Sequence, residues 1–136
     1  MHQFQKLMPV LVAYDGKEHS KKALCYAIEH SVVYNKTLYI LASVVSKDDV
    51  DRENELSHIK EFLDVAKKKA LEKGIDVRTL VEAGNPTEAI LAIAERINAG
   101  TIVTGHSERG ALDRVVAGSV SEHIVRSAQC TVIVVR

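Results

Sequence analysis

The sequence predicts an α/β fold: an open, five-stranded parallel sheet with helices on both faces. Three observations carry this reading. Five short apolar runs alternate with four segments of helical periodicity, the pattern of a parallel sheet with crossover helices. The longer runs do not alternate apolar with polar, so they suit strands covered on both sides. Turn and cap residues punctuate the boundaries, among them Asp15-Gly16, Gly74, Gly100 and Gly105. Right-handed crossovers then place helices on the two faces.

Taken in order, Met8 to Tyr14 is an apolar run that ends at Asp15-Gly16 and reads as a buried strand and a turn. Ala23, Leu24, Ala27 and Ile28 recur at helical spacing, which predicts a helix from Ser20 to near Tyr34. Asn35-Lys36 breaks it, and Leu38 to Val45 forms the second strand. The polar stretch Ser46 to Asn54 reads as a solvated acidic loop. Leu56, Ile59, Leu63, Ala66 and Ala70 mark a long second helix that Gly74 ends. Val77 to Val81 is a short third strand.

Asn85-Pro86-Thr87-Glu88 is a helix start: Asn85 caps, Pro86 fits the first turn and Glu88 takes the capping-box position. Ile90, Ile93, Ala94 and Ile97 face the core until Gly100 closes this helix. Thr101 to Thr104 is the fourth strand, ending at Gly105. His106 to Ala117 reads as a loop with a helical turn around Leu112 to Val116. Gly118-Ser119 opens a fourth helix, and Thr131 to Val135 is the fifth strand.

Length and composition bound the function. At 136 residues and 15.0 kDa the chain is expected to form one domain over 1–136. Eighteen basic residues balance eighteen acidic ones, so no global field draws nucleic acid or an anionic membrane. No apolar run approaches the roughly 18 residues that span a bilayer, and residues 1–6 lack a signal peptide's apolar stretch. A cytoplasmic protein is expected. Cys25 and Cys130 form no CxxC motif and are expected as two buried thiols.

The segment from Gly105 to Ser119 is the most informative chemically. In open parallel sheets, ligands bind at the carboxyl ends of the strands where strand order reverses. This segment begins at a strand end and finishes at a helix start, whose amides favour an anion. Ser119 and Ser121 offer hydroxyls, and Arg109 and Arg114 add positive charge. A plain turn at Gly118 and a plain N-cap at Ser119 account for the same residues.

Gly105-His106-Ser107-Glu108, nine residues and Gly118-Ser119 resemble the signature of the universal stress protein family, G-x-x-G-x(9)-G-[ST]. Val10 to Gly16 resembles the family's first strand with its terminal acidic residue. Gly84-Asn85-Pro86 resembles its turn before the third helix, and Ala99 to Gly105 its fourth strand. Cys130 to Val135 resembles its last strand, with Thr131 where proline is usual. The resemblance runs colinearly over essentially the whole chain.

The resemblance implies a strand order 3-2-1-4-5 and an adenine nucleotide (ATP, ADP or AMP, with magnesium for the polyphosphates) between strands one and four. Carried over by position, Ala13, Tyr14 and Asp15 line the adenosine side, with the Ser43 backbone near the base. Thr104, Gly105 and Ser107 border the ribose and first phosphates. Gly118, Ser119, Val120 and Ser121 hold the outer phosphates. Asp15 is in position for a ribose hydroxyl or a magnesium-bound water. The resemblance also implies a homodimer paired through Thr131 to Val135.

One position departs from the signature: Glu108 stands at its second glycine. A left-handed backbone there costs a non-glycine residue about 1–2 kcal/mol. A carboxylate about 4 Å from a phosphate charge adds about 1 kcal/mol in water. Gly110 and Arg109 offer compensation.

Rival constellations are weak. The acids at 48, 49, 51 and 53 lack the EF-hand spacing, and the six histidines form no HExxH or HxH pair. No G-x-S-x-G elbow marks a hydrolase, and His106 has no nameable catalytic partner. Two functions follow. One is a nucleotide-set regulatory switch with at most slow hydrolysis, because no base or Walker lysine stands out. The other is a non-nucleotide stress protein that acts through its dimer and partner surfaces. An adenylyl-transfer enzyme of the same fold ranks third.

Overall fold

The three central runs become strands with hydrogen-bonding neighbours on both edges, whereas the outer two pair along one edge only. In the computed structural model, which describes residues 8–106 and 120–136, the elements are β1 (Val10–Ala13), α1 (Glu18–Tyr34), β2 (Leu38–Val44), α2 (Asp49–Leu71), β3 (Val77–Ala83), α3 (Pro86–Arg96), β4 (Thr101–Gly105), α4 (Val120–Ser127) and β5 (Thr131–Val135). The strands form one parallel sheet in the order β3-β2-β1-β4-β5.

Strand alternation divides the core in two. Val10, Val12, Leu38, Ile40 and Val103 meet Leu24, Ala27 and Ile28 of α1 and Ile59, Leu63 and Ala66 of α2. Leu11, Leu41 and Ile102 point the other way, onto Ile90 and Ile93 of α3 and Ile124 of α4. Successive positions of one strand serve opposite faces, so a short apolar run builds both layers at once.

Local chemistry moves several boundaries from where periodicity alone puts them. β1 starts at Val10, whose N–H bonds to the Thr37 carbonyl; the preceding Pro9 has no N–H to offer the ladder. α1 starts at Glu18 rather than Ser20, because the Asp15 carboxylate takes the Lys17 N–H and turns the chain early. The acidic stretch is not a loop. Asp48 caps α2 by accepting from Val50 and Asp51 N–H, and Asp49 and Asp51 occupy its first turn, where the helix dipole favours negative charge. β3 runs on to Ala83 because Ser43 and Val44 of β2 continue beside it.

Asn85 caps α3 as expected, accepting from Thr87 N–H at 2.9 Å and Glu88 N–H at 3.2 Å, with Pro86 in the first turn. The end of α3 differs from expectation. Asn98, at φ 56°, makes the left-handed turn. Gly100 instead lies against Met8, whose Cβ is 3.0 Å from where a Gly100 Cβ would fall. The thiols also differ from expectation: Cys25 is exposed on α1 and Cys130 is half-buried. Among the described residues no helix is long and apolar enough to cross a membrane.

The β1–β4 crevice as candidate functional site

β1 has β2 on one side and β4 on the other. The chain leaves β1 for the face covered by α1, while α3 and α4 cover the opposite face. The strand order therefore reverses between β1 and β4, and the rule for open parallel sheets puts the ligand crevice at their carboxyl ends.

Asp15 stands at one wall, its carboxylate held from the protein side. Oδ1 accepts the Lys17 N–H at 2.9 Å and the Ser20 hydroxyl at 2.7 Å, while the Asp15 N–H donates to Ser20 Oγ at 3.2 Å. Ser20 is buried and closes this ring from the first turn of α1. Oδ2 faces His19 Nε2 at 3.4 Å, and the Asp15 side chain is 48% exposed. One oxygen is thus anchored, and the other retains capacity for a donor from outside.

β4 forms the other wall. Thr104 is buried, and Gly105 and His106 are half-buried. His106 N–H bonds to the Val135 carbonyl and ties the end of β4 to β5. The need for glycine at 105 is steric: a Cβ there would fall onto the His19 carbonyl and sit 3.3 Å from the imidazole Cδ2. α1 therefore rests its first turn directly on the end of β4.

The sequence-derived site residues separate into groups. Asp15, Thr104 and Gly105 come together at the β1 and β4 ends, with Ala13 closing β1. The Tyr14 ring turns into the core, edge-on to Phe62 with centroids 5.5 Å apart, and its N–H donates to the Leu41 carbonyl. Burial, then the neighbouring Asp15 carboxylate, pushes the Tyr14 phenol above its usual range. Ser43 lies near the end of β2, paired with Glu82 of β3. Val120 and Ser121 form the start of α4, Ser121 buried and Val120 exposed. Ser107, Glu108, Gly118 and Ser119 lie outside the described residues, as does the expected turn at Leu112 to Val116.

Sequence reading missed Ser20, His19 and Glu55. The first two share a local signal, a polar residue four or five positions after the strand-ending Asp15, within reach of its carboxylate. Glu55 accepts the Val45 N–H at 3.1 Å and the Ser46 N–H at 3.0 Å and so fixes the loop after β2. The Ser46 backbone bond leads the causes that hold the Glu55 carboxyl below its ordinary range.

Beyond the crevice, a cavity of about 520 Å³ is lined by His106, Ser121, Glu122, Val125, Arg126, Val134 and Arg136. His106, the residue after β4, and Ser121 of α4 both line it. A smaller cavity of about 200 Å³ lies at the end of β3 and the start of α3, two strands from β1. We place the candidate site at the crevice, where the exposed carboxylate and the strand reversal coincide. Among the described residues no group of three His, Cys, Asp or Glu is arranged to hold a metal ion. Magnesium at such a site would enter with a polyphosphate, which keeps most of its coordination in phosphate and water.

The family model described as the universal stress protein family matches residues 6–136. A curated Staphylococcus aureus relative, named as a universal stress protein, is 34% identical over 93% of this chain and 82% of its own. A solved universal stress protein in complex with cAMP is 22% identical, with 95% of this chain and 97% of that one covered and a TM-score of 0.82. An Arabidopsis thaliana family protein with AMP bound is 21% identical, with 94% and 90% covered and a TM-score of 0.69.

Proposed function

The chain belongs to the universal stress protein family, and from that premise we propose that it binds an adenine nucleotide in the β1–β4 crevice as a regulatory switch. The observation that carries this reading is Asp15: a half-exposed carboxylate, anchored through Oδ1, at the point where the strand order reverses. Adenine nucleotides in two proteins of the same fold, cAMP in one and AMP in the other, support the ligand class.

In this reading Ala13, the Tyr14 backbone, Asp15 and the Ser43 backbone take the adenosine side. Thr104, Gly105 and Ser107 border the ribose and first phosphates. Gly118, Ser119, Val120 and Ser121 take the outer phosphates, with magnesium accompanying ATP or ADP. Arg126, Arg136 and His106 around the larger cavity add positive or protonatable groups near that end. The whole of 1–136 acts as one cytoplasmic domain. Two copies pair through β5, an edge strand whose unpaired side would otherwise be open to other chains. Hydrolysis, if present, is slow.

A second reading rests on Glu108, which departs from the signature at its second glycine. In that case the crevice stays empty and the dimer and partner surfaces act alone. Calorimetric titration with ATP, with and without magnesium, separates the two. Saturable binding of one nucleotide per chain below about 100 µM, equivalent to about −5.5 kcal/mol, is expected, with Gly118→Ala weaker. No heat at millimolar ATP sinks the switch and favours the second reading. Sedimentation as a monomer at tens of micromolar sinks the dimer.

A further inference from the structure

His19 touches both walls of the crevice. Its carbonyl and imidazole Cδ2 occupy the space that a side chain at Gly105 would fill, on the β4 wall. Its Nε2 lies 3.4 Å from Asp15 Oδ2, on the β1 wall. Packing against β4 restricts the imidazole, and the Lys17 N–H and Ser20 hydroxyl hold the other oxygen of the same carboxylate. The neighbouring Glu18 pairs with Lys21, at 3.5 Å, so it is engaged along its own helix.

We propose that His19 is a positioning residue for ribose recognition: seated on Gly105, it orients Asp15 Oδ2 to accept a ribose hydroxyl. The inference rests on the nucleotide reading above and deepens it. The physical reason is directional. A carboxylate anchored through one oxygen still rotates about its Cβ–Cγ bond within the slack of those bonds. The imidazole edge 3.4 Å from the second oxygen limits that freedom on the protein side before the ligand arrives, and preorganised acceptors bind more tightly than mobile ones. The bound hydroxyl then shares Oδ2 with the imidazole, which a carboxylate oxygen's two lone pairs allow.

The test compares AMP with the analogue that lacks both ribose hydroxyls, by calorimetry on the full chain. The wild-type protein should prefer AMP by about tenfold, the value of one hydrogen bond to a charged group. His19→Ala should narrow that preference at least threefold. His19→Gln should restore it, because the Gln Nε2 stands as many bonds from Cα as the His Nε2 and also donates. Adding His19→Ala to Asp15→Asn should change the ratio no further, since both act through one oxygen.

A merely structural role for His19 would weaken both ligands alike, so an unchanged ratio in His19→Ala overturns the inference. Failure of His19→Gln to restore the ratio, or independent effects in the double variant, overturns it too. If the wild-type protein binds AMP but shows these results, only the role of His19 falls. If the wild-type protein binds no AMP at millimolar concentration, the nucleotide reading falls and this inference with it.

Discussion

Gly105→Ala tests how α1 is seated on the sheet. The added Cβ would stand 2.7 Å from the His19 carbonyl carbon, about 0.7 Å inside the 3.4 Å at which ordinary contact begins. The obstacle is backbone in the first turn of α1, so no rotamer change relieves it. Either that turn lifts off β4 or β4 moves away from α1, in both cases disturbing packing around Val103 and Ala23. Overpacking of this kind costs about 1–3 kcal/mol. For a chain of this size, a loss of about 2 kcal/mol lowers Tm by roughly 6–10 °C.

Thermal melts followed by circular dichroism at pH 7 would measure the fall. Gly74→Ala is the comparison. Gly74 has φ +79° and nothing within 4 Å of an added Cβ, so its cost is conformational, about 1 kcal/mol. The ordering Gly105→Ala below Gly74→Ala below wild type is expected. A Gly105→Ala protein melting within 1 °C of wild type, about the resolution of such a melt, would refute the direct seating of α1 on β4. Because His19 sits in that turn and contacts Asp15, the variant should also weaken nucleotide binding.

Two further predictions concern titrating groups. Glu55 is held below its ordinary carboxyl range chiefly by the Ser46 backbone bond, so it stabilises the fold when ionised in both states, above the ordinary range. That contribution fades as pH falls through the depressed value. The Tm gap between wild type and Glu55→Gln should be widest near neutrality and narrow as the pH falls below the ordinary carboxyl range; a gap independent of pH would contradict the clamp on Val45 and Ser46. Cys25 is exposed, whereas Cys130 is half-buried and burial pushes its thiol up. Alkylation at pH 8 followed by peptide mapping should label Cys25 roughly tenfold faster or more, and equal rates would contradict the placement of Cys130.

The sequence alone determined the element order and the layers, because both follow from short-range pattern. Unalternating runs such as Leu38 to Val44 must be covered on two sides, and α3 announces itself through Asn85-Pro86, an intrinsic cap and first turn. The resemblance located Asp15, Thr104 and Gly105 at the strand ends, where the topology brings them together. Boundaries set by side chains bonding to backbone were less legible. Periodicity sees apolar faces, whereas the start of α1 depends on the Asp15 carboxylate and that of α2 on Asp48.

Tertiary structure alone decided what each crevice residue is free to do. Tyr14 reads as a ligand-side residue until Phe62, 48 positions away in the chain, packs against its ring and claims it for the core. Gly105 reads as a border of the ribose and first phosphates, yet the space a side chain there would fill is taken by His19 from a different element. Such roles depend on which atoms of distant segments meet, and that is settled only when α1 and α2 pack on the sheet and every side chain competes for the same volume.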